Sequence, residues 1–141
     1  ASAMAAQTGL ADGAIVNLLD QKVENPNPDF LTYTLSKAGL AEATRLLAMA
    51  LAPRIRVNAV SPGISLPSLD QSEAAFAAVA SRNLLERRVE VADIAHTVEH
   101  LLTARSITGQ NVFVDCGQRF VRREGDVMFE GRARPDVQPR G

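Results

Sequence analysis

The chain has 141 residues, 46% of them hydrophobic and 22% charged, with 16 acidic side chains against 15 basic ones. A net charge of −1 excludes the basic footprint of a nucleic-acid or membrane-surface binder, and no apolar run approaches the roughly 20 residues that span a bilayer. The single cysteine, Cys116, cannot form an internal disulfide, and the opening ASAMAAQTGLADG lacks the basic front and apolar stretch of a secretory signal, so one domain in the cytoplasm is expected. Composition is uneven in one respect. There are 13 arginines but only two lysines, Lys22 and Lys37, with one tyrosine, Tyr33, and no tryptophan.

The Ala-rich first ten residues read as the end of a helix. The run Gly13-Ala14-Ile15-Val16-Asn17-Leu18-Leu19 is short, β-branched and apolar on both faces, which predicts a buried parallel strand. Residues 20–30 carry Pro26 and Pro28 and predict a loop. From Leu31 to Ala52, leucines spaced among alanines predict a helix that Pro53 stops. Ile55 to Val60 predicts a second strand, broken by Ser61-Pro62-Gly63, and residues 64–70 predict loop. Ser72 is placed to cap a helix through Ala74–Ala80. A further helix is expected over Val91–Thr103, where Ile94, Val98, Leu101 and Leu102 fall near a 3.6-residue period. Gly109 opens a third strand, Asn111–Asp115. Residues 119–141 hold six arginines among four acidic residues and read as a solvated or subunit-contacting extension, its last ten residues as a disordered tail.

Strands alternating with helices predict an α/β fold with a parallel sheet and crossover helices. No G-x-G-x-x-G or similar glycine cluster precedes the first strand, although dinucleotide folds cradle the pyrophosphate on such a turn. The sequence therefore either binds no nucleotide or is the second half of a domain that does. Tyr33 and Lys37 stand four residues apart at the start of a helix and so share a face. An ammonium close to a phenol stabilises the phenolate and lowers its pKa, which would make the pair usable in proton transfer near neutral pH.

The strand G-x-I-V-N, the pair Tyr33-x-x-x-Lys37, Val57-Asn58-x-x-x-Pro62-Gly63 and the run from Ile107-Thr108-Gly109-Gln110 to Val114-Asp115 stand in an order and spacing that resemble the C-terminal half of a short-chain dehydrogenase/reductase. The resemblance covers residues 1–118, leaving 119–141 as an extension. It implies three strands of a doubly wound, Rossmann-like sheet. Members run to about 250 residues, so the cofactor's glycine turn would lie in a half absent from this chain, which alone would be inactive. The resemblance also implies that Tyr33 is the catalytic acid/base and that Lys37 binds the nicotinamide ribose and tunes the phenol. Pro62, Gly63 and Ile64 would form the turn facing the nicotinamide carboxamide. The cofactor implied is NADPH, with NADH left open because its determinants would lie in the other half. The helix over residues 31–52, apolar on more than one face, would build a homodimer or homotetramer.

One position departs from the general pattern. The family's catalytic serine stands 12 or 13 residues before the tyrosine; here Asp20 stands 13 before it, and no serine lies between Ser2 and Tyr33. Pteridine reductases of this family, the dihydromonapterin reductase-like members among them, carry an aspartate there. Their P-G-x-S pattern is matched by Pro62-Gly63-Ile64-Ser65. A carboxylic acid can donate or relay a proton, which suits reduction of a C=N bond, where hydride goes to carbon and a proton to nitrogen. Asp20, Tyr33 and Lys37 are therefore the expected catalytic residues and a dihydropterin the expected small-molecule substrate. A carbonyl or alcohol dehydrogenase that has lost its serine is the alternative within the class. Outside it stands a non-catalytic oligomerisation or regulatory protein. Enoyl reductases of this superfamily, with lysine seven positions after tyrosine, do not fit, because Leu40 stands there.

Two other features invite chemistry. His96-Thr97-Val98-Glu99-His100 matches the H-x-x-E-H zinc-hydrolase motif, with solvent-facing histidines as the simpler reading and no metal expected. Cys116 follows the last strand without a nearby base and reads as a packing residue.

Overall fold

A computed structural model describes residues 2–9, 12–67 and 71–129. In chain order its elements are α1 (Ser2–Ala5), β1 (Gly13–Leu18), α2 (Leu31–Leu51), β2 (Ile55–Pro62), α3 (Glu73–Ala80), α4 (Val91–Thr103) and β3 (Asn111–Val114). Short 3-10 turns span Gln21–Val23, Gln118–Phe120 and Val127–Phe129.

The strands form one parallel sheet in the order β1-β2-β3. Central β2 is the most buried element: Val57, Ala59 and Val60 are fully enclosed, as its run of apolar residues on both faces requires. β2 runs two residues beyond the expected break, because Ser61 and Pro62 pair with Phe113 and Val114 of β3. Proline is tolerated at this strand end, where no ladder bond asks for its missing N–H.

Two motif segments hold the sheet edge together. Buried Asn58 donates to the carbonyl of Ile107 (2.9 Å) and accepts from the Gln110 N–H (3.0 Å), while Thr108 accepts from the Val57 N–H (3.1 Å). Their role is to clamp the α4–β3 loop onto β2. Ser72 caps α3 through the Ala75 N–H at 3.2 Å, as its position predicts. Arg56 reaches the end of α4, donating to the carbonyls of Leu101, Leu102 and Ala104 at 2.8–2.9 Å, and is itself held by Asp12 at 3.2 Å. A cation there satisfies carbonyls that a helix end leaves without partners.

α2 lies on β2. Its inner face buries Thr44 and Ala48, and Asn17 of β1 donates to the Thr44 hydroxyl at 2.9 Å. Its outer face leaves Leu31, Leu35, Leu46 and Met49 more than half exposed. Among the described residues, no helix is long and apolar enough to cross a membrane.

The extension was expected to be solvated or to contact a second subunit; its described part packs against its own chain. Residues 118–129 fold back against the loop 21–30: Asn25 donates to the Val121 carbonyl (2.9 Å), and the rings of Phe30 and Phe129 stack with centroids 5.6 Å apart. Arg119 bridges Asp115 (2.9 Å) and Glu24 (3.4 Å) and lies over the rings of Phe113 and Phe120. Apolar stacking and internal ion pairs outcompete solvation for this stretch. The expected disordered last ten residues lie outside the described residues.

Candidate active site

Strand β1 ends at Leu18, and the chain then turns so that Asp20, in extended backbone, caps the 3-10 turn Gln21–Val23: its Oδ1 accepts the Lys22 backbone N–H at 2.8 Å. The other carboxylate oxygen, Oδ2, accepts from the Tyr33 hydroxyl at 2.7 Å. The short O–H···O⁻ distance marks a charge-assisted bond. Tyr33 sits in the first turn of α2, 42% exposed, with its hydroxyl aimed at the end of β1. One helical turn on, Lys37 donates to the Leu18 carbonyl at 2.9 Å and holds its ammonium 5.6 Å from the Tyr33 ring centre.

The net effect on the phenol runs opposite to the sequence expectation. Tyr33 is pushed far above the ordinary tyrosine value, first by burial, then by its hydrogen bond to the Asp20 carboxylate and the negative charges of Asp20 and Asp126. Lys37 directs its proton donation to the Leu18 carbonyl and does not outweigh two carboxylates. The phenol therefore keeps its proton and acts as a donor.

Across from this pair, the β2 end forms the turn Pro62-Gly63-Ile64. Gly63 donates to the Val114 carbonyl at 2.9 Å, and a Cβ built on it would meet Gln118 Oε1 at 2.7 Å and Asp115 Cα at 2.9 Å. Only glycine fits without displacing backbone. The Ile64 N–H donates to Gln118 Oε1 at 2.9 Å, so Gln118 locks the turn.

Asp20, Tyr33, Pro62, Gly63, Ile64 and Ser65 all line one cavity of about 490 Å³ at the C-terminal ends of β1 and β2. Parallel sheets bind ligands at that end of their strands. Lys37 is not among the lining residues and reaches the cavity only through Tyr33, its ammonium 5.6 Å from that ring's centre. Sequence reasoning missed further lining residues: Gln21, Lys22, Phe30, Gln118, Arg123 and Asp126. Lys22 was visible as one of only two lysines, but nothing local linked it to Asp126, 104 positions away.

The phenol, the ammonium and the backbone turn have the chemistry to hold the nicotinamide ribose and carboxamide end of a dinucleotide. The pyrophosphate end has no glycine-rich turn among these 141 residues. His96, Glu99 and His100 lie exposed on α4, and no group of three metal-ligating side chains occurs among the described residues. Cys116 takes a left-handed conformation (φ 52°) in the turn after β3, where Asp115 accepts from the Gly117 and Arg119 N–H groups. That conformation favours glycine.

Residues 1–119 match the family model described as Enoyl-(Acyl carrier protein) reductase. The chain itself lacks the enoyl-reductase spacing, since Leu40 rather than lysine stands seven residues after Tyr33. The chain is 30% identical over 110 residues to dihydromonapterin reductase of Klebsiella pneumoniae, covering 78% of this chain and 46% of that protein. It thus spans about half the length of the curated relatives it matches. Among solved structures it is similar to FolM alternative dihydrofolate reductase 1 from Brucella canis complexed with NADP. The TM-score is 0.79 and the identity 41%, over 96% of this chain and 50% of that one. The corresponding protein from Brucella suis, in complex with NADP, is 47% identical over 79% of this chain and 45% of that one, with a TM-score of 0.75.

Proposed function

This chain belongs to the short-chain dehydrogenase/reductase family, and we propose that it carries the proton-handling residues of an NADPH-dependent reductase acting on a C=N bond of a dihydropterin-like ring. The observation that carries this reading is the 2.7 Å hydrogen bond from Tyr33 to Asp20: a carboxylate, not a hydroxyl, partners the catalytic phenol. The relatives support it by name, as reductases of dihydromonapterin and dihydrofolate, two of them bound to NADP.

The hydride would come from a nicotinamide when one is bound beside Tyr33. Tyr33 and Lys37 would hold its ribose and the Pro62-Gly63-Ile64 turn its carboxamide, with Ser65 continuing that wall. Tyr33 Oη, held protonated, delivers its proton to the ring nitrogen as the C=N bond is reduced. The phenolate left behind faces the Asp20 carboxyl group, which relays a replacement proton from solvent. A ketone and a C=N bond each take one hydride and one proton; the difference is that the proton goes to a ring nitrogen, more basic than a carbonyl oxygen, and a carboxyl group beside the phenol can resupply it. The exposed leucine stripe of α2 supports assembly as a homodimer or homotetramer through that helix.

The test is NADPH consumption by the full-length gene product, offered a dihydropterin and, separately, a panel of ketones. Turnover of the dihydropterin in preference to the ketones is expected. Ketone turnover without pterin turnover would overturn the reading in favour of a carbonyl or alcohol dehydrogenase.

A further inference from the structure

The second lysine of the chain lies in none of the motifs, yet it is the most enclosed charge beside the cavity. The Lys22 side chain is 4% exposed. Its ammonium donates to the Asp29 carbonyl (2.9 Å) and to Asp126 Oδ2 (3.1 Å), and lies 5.3 Å from the centre of the Phe30 ring. Asp126 in turn donates its backbone N–H to Asp29 Oδ2 at 2.7 Å, and Phe129 stacks on Phe30. Asn25 adds its bond to the Val121 carbonyl. Four separate contacts therefore join residues 121–129 to the loop 22–30, about a hundred positions earlier.

Both ends of this clasp touch the site. Asp126 and Val127 line the same cavity as the Pro62–Ser65 turn. At the other end, the Lys22 backbone N–H is the donor that fixes Asp20 Oδ1, which leaves Oδ2 for Tyr33. A lysine free to move would let the 3-10 turn open and the carboxylate rotate away. Held by Asp126 and Asp29, it cannot. Enclosing an ammonium is unfavourable unless its hydrogen bonds are met, so a lysine so placed signals a geometry that depends on its partner.

We infer that Lys22 and Asp126 are positioning residues: their ion pair fastens the 121–129 segment as one wall of the substrate cavity and holds Asp20 in line with Tyr33. The inference rests on Asp20 and Tyr33 being the proton-handling pair, and it assigns the extension a role in the site that none of the four sequence motifs reaches. Neither residue touches the reacting atoms; both act through Asp20 and the cavity wall.

The experiment compares the full-length protein with Asp126→Asn, Asp126→Glu and the double variant Lys22→Met/Asp126→Leu, which removes both charges and so leaves neither one stranded. Two readouts are taken. Without substrate, trypsin cleavage after exposed Arg122 reports whether the segment is fastened; faster cleavage is expected in Asp126→Asn and in the double variant. With NADPH and a dihydropterin, kcat should fall about tenfold or more in both while the KM for NADPH stays within about twofold, and Asp126→Glu should recover part of the loss. A double variant that melts like the wild type yet keeps its full kcat, or cleavage no faster than wild type, overturns the inference. A wild-type protein that turns over no dihydropterin overturns the pterin reading instead, and the trypsin comparison then decides the clasp by itself.

Discussion

A hydrogen bond of 2.7 Å from Tyr33 to Asp20 joins the phenol to a carboxyl group through which its proton can be exchanged. The phenol is raised above its ordinary value by burial and by two carboxylates, so it is fully protonated at neutral pH and holds that proton more tightly than an ordinary tyrosine. The shift has a sign that can be checked without substrate. Because the folded chain holds this proton more tightly than the unfolded chain does, the stability linked to Tyr33 is complete below the unfolded value, about 10, and is lost as the pH rises beyond it. The melting-temperature margin of wild type over Tyr33→Phe should therefore be constant from neutral pH to about 9 and shrink above about 10. A margin that widens with alkalinity would contradict the assignment. The scarcity of tyrosine and lysine in the sequence pointed to this pair. The direction of the shift was not legible there, because it comes first from burial, which only the fold creates, and then from the hydrogen bond to Asp20, with Asp126 adding the least.

At the scale of elements, the site stands where strand ends are pinned by other strands. The Pro62-Gly63-Ile64 turn is held between Val114 and Gln118, and no side-chain carbon fits at Gly63. Gly63→Ala should destabilise the fold by about 1–3 kcal/mol in denaturant titration and raise KM for both substrates. An unchanged midpoint would mean that the turn yields more easily than its packing implies. Arg56 offers a second test away from the site. It satisfies three carbonyls at the end of α4, so Arg56→Met should cost about 2 kcal/mol while leaving kcat intact. Strand and helix positions were legible from apolar runs, caps and Pro53, since those signals are local. The lengthening of β2 through Pro62 was not, because it comes from pairing with β3, and the return of residues 118–129 was hidden by an arginine-rich composition typical of solvated tails.

At the scale of the whole molecule, two surfaces of the described residues stand open. One is the cavity at the ends of β1 and β2. The other is the outer side of α2, where Leu35 and Leu46, eleven residues or about three turns apart, stand on one stripe with Leu31 and Met49. Replacing Leu35 and Leu46 together with glutamate should shift the sedimentation mass of the full-length protein to that of a single protomer without loss of helical circular dichroism. A wild-type protein that already sediments as one protomer would contradict assembly through this helix. The parallel α/β architecture was legible in the alternation of strands and helices, and the spaced motifs held the Tyr33 and Pro62–Ile64 side of the cavity. The rest of its lining was not legible, being assembled from the loop 21–30 and the extension through Lys22 and Asp126.

The claim on which the account turns is that the carboxyl group of Asp20 suits the site to a C=N bond. Its most direct test is kcat for a dihydropterin and for a ketone, measured with NADPH in wild type and in Asp20→Ser. Serine restores the partner usual in this family, so the dihydropterin rate should fall about a hundredfold while the ketone rate holds or rises. A dihydropterin rate unchanged by the substitution would contradict the account.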